Sequence, residues 1–266
     1  MHPDAYRERC LVHEVRVAAP APQPVRIGTR VASMSAAGAA RDAEGMLSTS
    51  PRSAFLIAAP LVFAALLMLH PMGGDDFATL VSENLTPWLA VHYGAAVLFP
   101  LMGYVIWQLI RDLPGRAATV ARIAIPVYAI FYGVYEGMMG LATGIMTQQG
   151  NEMTGAEHDG VAEAVNAIPT HPIVGESGLL ASVGSLAWII AITGAILALR
   201  AAGVRRSALV LVGIGTFMAL HIPPIGPVAL LCLSGAALLI ERHREAPAHA
   251  IPRRLPGGAR NAGWPA

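Results

Sequence analysis

Residues 121–146 read ARIAIPVYAIFYGVYEGMMGLATGIM, and this stretch decides the fold class of the chain. It is apolar along most of its length, and about 20 helical residues cross the roughly 30 Å hydrocarbon core of a bilayer. The whole chain agrees with it, since 55% of the 266 residues are hydrophobic and only 13% are charged, whereas soluble domains are about 25% charged. We therefore predict an all-α integral membrane protein whose solvent is the lipid bilayer. The net charge of +1 argues against a nucleic-acid partner.

Six apolar segments form the predicted membrane domain. They cover residues 53–70, 88–110, 121–146, 179–199, 207–222 and 226–240. The first four are long enough to span a bilayer. The last two are short and are separated only by the turn HIPPIGP at 221–227. They form either a thin helical hairpin or one re-entrant pair. We favour the hairpin because each piece is still long enough to form a short membrane-crossing helix.

Polar tails flank this domain. Residues 1–52 are rich in Ala, Arg, Pro and Ser without sustained periodicity, which predicts a disordered tail. Residues 242–266 predict a second one. No apolar stretch follows the early charges of the first tail, so it does not have the pattern of a secretory signal. Met34 and Met46 are alternative translation starts within it.

The arginines are sorted to one side of this map. All eighteen cationic residues are arginine: seven lie in the N-terminal tail, three in 111–122, three in 200–206 and five in the C-terminal tail. The loops 71–87 and 147–178 and the turn 221–227 contain none. Cytoplasmic loops of membrane proteins are enriched in Lys and Arg. The pattern therefore predicts six crossings of the cell membrane with both termini in the cytoplasm.

The loops on the opposite side carry carboxylates that no arginine offsets. An acidic outer face raises the local concentration of cations, although the same pattern follows from the arginine rule alone. These acidic residues are Asp75, Asp76, Glu83, Glu152, Glu157, Asp159, Glu163 and Glu176.

Five of the nine histidines lie at or beyond the outer boundary of the map, and three of them come from separate segments. His70 ends the first segment, His92 lies near the start of the second, and His221 closes the fifth. Imidazole is the commonest metal ligand in proteins and an axial ligand of haem. We predict that these three converge to bind haem b or a divalent metal. The alternative is that each settles separately at the membrane interface.

Glu136 is the single carboxylate of the third segment, with no arginine near it. A charged side chain at the centre of a bilayer costs about 3 kcal/mol on insertion scales. It must therefore be protonated, pair with a cation or face water. His92 and His221 are the cationic partners at hand, so Glu136 either joins the predicted metal site or bonds, as a neutral acid, to a tyrosine or serine hydroxyl.

Two faces of the third segment, one of small residues and one that carries Glu136, predict that this helix lies in the centre of the bundle. Small residues at helical spacing allow close packing of a neighbouring helix, and they are Gly133, Gly137, Gly140 and Gly144.

Trp88 of the second segment shares a helix face with His92 and belongs either to an interfacial aromatic belt or to the wall of a haem or quinone pocket. The predicted cavity-lining residues beside Glu136 are Trp88, Tyr128, Tyr132 and Met139.

Four short marks resemble a known group of proteins. LHP at 69–71, WLAVH at 88–92, the pair Tyr135–Glu136 and the closing helical pair are similar to a broad, mostly uncharacterised group of small six-helix bacterial integral membrane proteins. The resemblance covers residues 53–241. It implies the six-helix fold and no settled activity.

Three classes of function stay open. The first is a membrane redox or metal-handling protein. The second is a small proton- or cation-coupled transporter or channel subunit that uses Glu136. The third is a structural or regulatory protein without small-molecule chemistry, which acts with a membrane-protein partner or as a homo-oligomer. An enzyme of the hydrolase type is the least supported, since the chain contains no GxSxG, HExxH or P-loop motif.

Overall fold

The computed structural model describes residues 50–73 and 76–245. Within these ranges the chain forms helices and no strand, which confirms the all-α prediction. The predicted tails lie outside the described residues except for 50–52 and 242–245, which belong to or adjoin helices. Asp75 of the acidic loops also lies outside them. The helices are α1 Pro51–Leu67, α2 Phe77–Glu83, α3 Leu85–Ile110, α4 Arg116–Glu136, α5 Thr143–Gly150, α6 Ala156–Ala167, α7 Leu179–Ala201, α8 Arg206–Ile214 and α9 Ile225–Glu245.

Two irregular helical turns interrupt this series. A π-helical turn, Gly137–Ala142, joins α4 to α5, so that Arg116–Gly150 is one continuous rod. A 3₁₀ segment, Gly215–Leu220, continues α8. π-turns inside α-helices are rare and occur frequently at functional sites.

In the part of the chain that the structure describes, four helices have the length and apolar composition needed to cross a membrane. They are Leu85–Ile110, Arg116–Gly150, Leu179–Ala201 and Ile225–Arg244, whereas Pro51–Leu67 and Arg206–Leu220 are shorter apolar helices. The first and the last apolar helices of the domain differ in length from the predicted segments. The first segment forms a helix of 17 residues that ends at Leu67, before the predicted end at His70. Pro71 disfavours helical geometry at His70 itself. The last extends to 21 residues, because its polar final turn carries arginines that suit a helix C-terminus.

The predicted outer loops contain two helices that the apolar pattern did not identify. α2 begins at the N-cap Asp76, whose Oδ1 accepts a hydrogen bond of 2.9 Å from the backbone N–H of Thr79. This bond and a second one from the Thr79 hydroxyl lower the pKa of Asp76 below its ordinary value. α6 is polar and mostly exposed. Both were predicted as loops because short polar helices have no long apolar run.

The carboxyl end of α3 is held by arginines from three other helices. Arg52 and Arg244 each donate to a carbonyl of its last turn at 2.7 Å, and Arg122 donates to another at 3.3 Å. Glu241, which is buried, accepts from Arg52 at 3.2 Å and from Arg244 at 2.9 Å. Carbonyls at a helix C-terminus lack partners within the helix and favour cations. These contacts lock α1, α4 and α9 against one end of α3.

Close packing in the centre involves glycines of α7 rather than the whole predicted stripe. A Cβ at Gly184 would lie 2.9 Å from the backbone nitrogen of Tyr132, so α7 and α4 approach closely there. Gly140 and Gly144 face α3, whereas a Cβ at Gly133 or Gly137 would meet nothing within 4 Å. The π-turn changes the angle per residue, and a stripe with regular spacing therefore does not stay on one face.

Candidate metal site

The histidines of three separate elements meet at the end of the bundle opposite the arginines. His70 follows α1, His92 lies in α3, and His221 follows the 3₁₀ segment. One imidazole nitrogen of each lies within 4.8 Å of the others. The ring centroid of His70 is 5.3 Å from that of His92 and 5.4 Å from that of His221. These side chains form a cluster that could bind a metal ion.

Glu136 lies beside this cluster at the end of α4. Its Oε1 is 3.6 Å from Nε2 of His221 and its Oε2 is 4.0 Å from Nε2 of His92. The side chain is only 1% exposed, and its Oε1 has no hydrogen-bond partner among the described residues. Both distances are too long for hydrogen bonds. We refer to the four residues together as the His/Glu site, which consists of His70, His92, His221 and Glu136.

The tautomer of each histidine follows from its second nitrogen. Nδ1 of His70 lies 2.8 Å from the carbonyl of Pro71, and Nδ1 of His92 lies 2.8 Å from that of Trp88. A carbonyl can only accept, so both Nδ1 atoms carry a proton, and in the neutral imidazole Nε2 then keeps a lone pair. Metal-binding histidines in proteins are oriented by this kind of bond.

The hydrogen bonds of Tyr132 define the tautomer of His221, the third histidine. Its hydroxyl donates its single proton to the carbonyl of Ala219 at 2.6 Å, and the same oxygen lies 3.1 Å from Nδ1 of His221. The hydroxyl can therefore only accept from Nδ1–H, which leaves Nε2 of His221 with a lone pair. Thus all three imidazoles present acceptors, not donors, on the nitrogen that is free.

The His/Glu site thus gathers three imidazoles beside a buried carboxyl group: Nε2 of His92 and Nε2 of His221 lie 4.0 and 3.6 Å from Glu136, and one nitrogen of His70 lies within 4.8 Å of one nitrogen of each of the other two histidines. An ionised Glu136 in this buried position is unfavourable unless a cation lies beside it. Ligand atoms around a tetrahedral metal at 2.0–2.1 Å lie about 3.4 Å apart. The separations of 3.6 and 4.0 Å from Glu136 and of at most 4.8 Å between the histidine nitrogens need contractions of up to about 1.4 Å to reach that geometry. The residues fit a metal ion.

The π-turn places the backbone of Gly140 directly against His92. A Cβ at Gly140 would lie 1.9 Å from Cδ2 of His92, so only glycine fits there. The indole N–H of Trp88 donates to the carbonyl of Gly140 at 2.8 Å, and the hydroxyl of Thr143 donates to the same carbonyl at 3.0 Å. Thr143 also donates to the carbonyl of Met139. These bonds fix the carbonyls of the π-turn from the side-chain direction, and they hold the turn that follows Glu136.

Aromatic rings enclose the histidines. The ring of Trp88 lies 4.3 Å from that of His92 with a tilt of 32°. Below the cluster, Phe99, Tyr128 and Tyr132 are buried and fill the bundle, and Tyr128 donates to the carbonyl of Phe99 at 3.1 Å. Tyr128 and Tyr132 thus form a floor beneath the site rather than a cavity wall.

A cavity of about 470 Å³ leads outward from the His/Glu site. Trp88 and Met139, which we predicted as lining residues, lie in its wall. Sequence reasoning missed further lining residues because α2 and the loop before α7 could not be placed. For one of these residues, Tyr135, the sequence contained a signal, because Tyr135 is the direct neighbour of Glu136. The missed residues are Pro71, Met72, Gly73, Phe77, Leu80, Tyr135, Glu176, Ala219, Leu220 and Ile222.

The other two outer histidines lie away from this cavity. His158 is in α6, and its Nδ1 lies 3.3 Å from a carboxylate oxygen of Asp159. His171 is exposed, and its Nδ1 accepts from the backbone N–H groups of Ile173 and Val174 at 3.2 and 3.4 Å. Both are therefore suitable controls for experiments on the His/Glu site.

No family model matches this chain, and neither a curated protein nor a solved structure is significantly similar to it. The resemblance to small six-helix bacterial membrane proteins therefore stays a prediction.

Proposed function

We propose that this chain is a multi-pass membrane protein that binds one divalent transition-metal ion at its His/Glu site. One observation carries the proposal: one nitrogen from each of three imidazoles lies within 4.8 Å of the others, beside a buried carboxyl group whose Oε1 has no donor among the described residues. A metal ion satisfies all four groups at once and removes the cost of the buried charge. Imidazole-rich sites of this kind suit zinc, copper, iron or nickel.

The proposed topology has six crossings with both termini in the cytoplasm. Four long apolar helices and two shorter ones support it. The arginine contacts at the carboxyl end of α3 also support this topology. They lie about 16 residues from His92, and that length of helix spans about 24 Å. With the arginines on the cytoplasmic side, the His/Glu site opens to the outer side. Accessibility labelling of cysteines introduced near His158 and Arg205 would test the orientation.

The geometry favours a metal ion over haem b. A haem iron bound by two imidazoles carries one on each side of a flat macrocycle. Here the ligand atoms of three imidazoles lie within 4.8 Å of one another, and a carboxylate oxygen lies 3.6 Å from one of them. Three imidazoles grouped this closely beside a carboxyl group suit a compact ion better than a wide planar ring.

The geometry also favours a resident ion over a transported one. Phe99, Tyr128 and Tyr132 lie directly beneath the His/Glu site, and each is at most 2% exposed. Conduction or transport toward the cytoplasm needs these rings to move apart, and two of them are fixed by hydrogen bonds to backbone carbonyls. The cavity therefore ends at the site, as expected for a bound cofactor.

Metal content of the full-length protein tests the proposal. The protein is purified in mild detergent from metal-replete cells, and mass spectrometry is expected to find about one metal ion per chain, as in other sites with this ligand set. His92→Ala should lose the ion, whereas His158→Ala and His171→Ala should retain it. A Soret band would instead indicate haem, and equal metal content in all variants would overturn the site.

A further inference from the structure

The cavity above the His/Glu site has mostly apolar walls. Its volume of about 470 Å³ lies in the range of pockets that hold drug-sized ligands. α2 contributes Phe77 and Leu80 to one side, and Leu220 and Ile222 form another. Apolar walls of this extent favour an apolar body over a sugar, a nucleotide or a hydrated ion.

The rim of this cavity is apolar as well. Met72 is 56% exposed, Leu220 53% and Ile222 38%, so the opening continues into apolar surface. Leu69 and Ile173 are also exposed, at 58% and 51%. In a membrane-spanning bundle such a rim suits contact with the outer leaflet, because exposed apolar patches mark interaction with a membrane or another apolar partner.

The proposed metal ion at the floor of the cavity favours a ligand with a single negative charge. A divalent ion held by three neutral imidazoles and one carboxylate keeps a net charge of +1. A monoanionic oxygen donor neutralises this charge when it occupies a further coordination position, and zinc sites expand to five ligands in this way. The phenol of Tyr135, which lines the same cavity, is a hydrogen-bond donor suited to such a head group.

We propose that the metal in the His/Glu site binds an amphiphile from the outer leaflet, with a monoanionic oxygen head on the metal and a linear apolar body along α2. This inference rests on the proposed metal site. Fatty carboxylates have this chemistry, and the same chemistry occurs in anionic amphiphiles dissolved in water. The head replaces solvent on the metal, and the body replaces solvent along the apolar walls.

Chain-length dependence of a metal-directed probe tests the inference. The full chain in phosphatidylcholine nanodiscs is loaded with Co²⁺, whose visible absorption reports ligands directly, and is titrated with acetohydroxamate or octanohydroxamate. Octanohydroxamate should bind at least about 30-fold more tightly, since each fully buried methylene contributes about fourfold. Equal affinity of the two probes for Co²⁺-loaded protein would overturn the inference and leave the metal site standing.

A blocked cavity separates binding from simple partition into lipid. Leu80→Trp places a large ring in the cavity wall, whereas Leu197→Trp changes an exposed side chain of α7 that is 51% exposed and lies outside the cavity. The chain-length preference should disappear in the first variant and persist in the second. A preference that survives in both, with Co²⁺ bound in both, would show partition only and would overturn the inference.

Two further outcomes identify the source of the ligand and the level of failure. Nanodiscs that contain palmitate should change the Co²⁺ spectrum of the wild-type chain without any added probe. A change with dissolved octanohydroxamate alone would keep the ligand chemistry and overturn entry from the bilayer. Failure of wild-type protein to bind Co²⁺ would overturn the proposed function itself, and the amphiphile site with it.

Discussion

The indole N–H of Trp88 bonds to the carbonyl of Gly140 at 2.8 Å, and this contact joins α3 to the π-turn that follows Glu136. Trp88 also lies against the ring of His92. One side chain thus touches the backbone beside the carboxylate and the ring of a proposed ligand. Groups that orient metal ligands commonly alter metal affinity by about 10- to 100-fold when they are removed.

Removal of the indole donor should weaken metal binding. In Trp88→Phe the aromatic contact with His92 remains, but the carbonyl of Gly140 loses a donor. We expect about a 10-fold loss of zinc affinity, measured by competition with a chromophoric chelator. Trp107→Phe is the matched control, because Trp107 is 37% exposed and lies far along α3 from the site. Equal affinity of both variants would show that the bond does not orient the ligands.

The close contact at Gly140 predicts a sharp difference between two glycines of one turn. Gly140→Ala puts a methyl group 1.9 Å from an atom of His92, whereas the methyl group of Gly137→Ala meets nothing within 4 Å. We expect Gly140→Ala to lower zinc affinity at least about 10-fold and Gly137→Ala to leave it unchanged. The same chelator competition measures both, and a comparable loss in both would contradict the role of Gly140.

Tyr132 should matter to the site more than Tyr128 does. Tyr132→Phe removes the oxygen that accepts from Nδ1 of His221, whereas Tyr128→Phe removes a bond to the carbonyl of Phe99 and leaves the histidines untouched. Zinc affinity should therefore fall about 10-fold or more in the first variant and stay near the wild-type value in the second. Isothermal titration with zinc distinguishes the two, and the reverse order would contradict the tautomer assignment.

Glu136→Gln should have opposite effects with and without metal. In metal-depleted protein the change removes a buried carboxylate that lacks a donor, and we expect the melting temperature to rise. In zinc-saturated protein it removes an anionic ligand, and the stabilisation by zinc should shrink. Thermal melts with and without zinc measure both effects. Glu163→Gln in α6 is the exposed control, and a lower melting temperature of metal-depleted Glu136→Gln would contradict the prediction.

The ionic contacts at the other end of α3 should affect stability and not metal binding. Glu241→Ala leaves Arg52 and Arg244 without their buried acceptor, and we expect a loss of about 2 kcal/mol in the free energy of unfolding. Asp112→Ala breaks the exposed pair with Arg111, which should cost about 0–1 kcal/mol. Denaturation in detergent measures the difference, with zinc affinity as the second readout. An effect of Glu241→Ala on zinc affinity would show coupling between the two ends.

Individual residues show which parts of the fold could be predicted. The apolar segments marked the long helices, because burial in lipid requires an uninterrupted apolar run. The same criterion missed α2 and α6, which are short and partly polar. It also gave no sign of the π-turn, since the glycines around Glu136 have ordinary helical spacing.

The candidate site shows the same division. His70, His92, His221 and Glu136 were named from their residue types and their depth in the predicted bundle. Nothing local predicted the lone pair on each Nε2, because Pro71, Trp88 and Tyr132 had to be in place first. Leu80 and Glu176 joined the cavity only when α2 and the loop before α7 had been packed.

The amino-acid sequence by itself determined the helical class, the membrane as solvent and the few polar residues that an apolar bundle must accommodate, because composition and hydrophobic run length act along the chain without regard to neighbours. Only the tertiary structure decided that three histidines from distant elements meet beside one carboxyl group, which of their nitrogens are hydrogen-bonded, and that an apolar cavity ends there. These properties depend on distances across the bundle, and ligand atoms brought together by packing leave no spacing pattern in the chain.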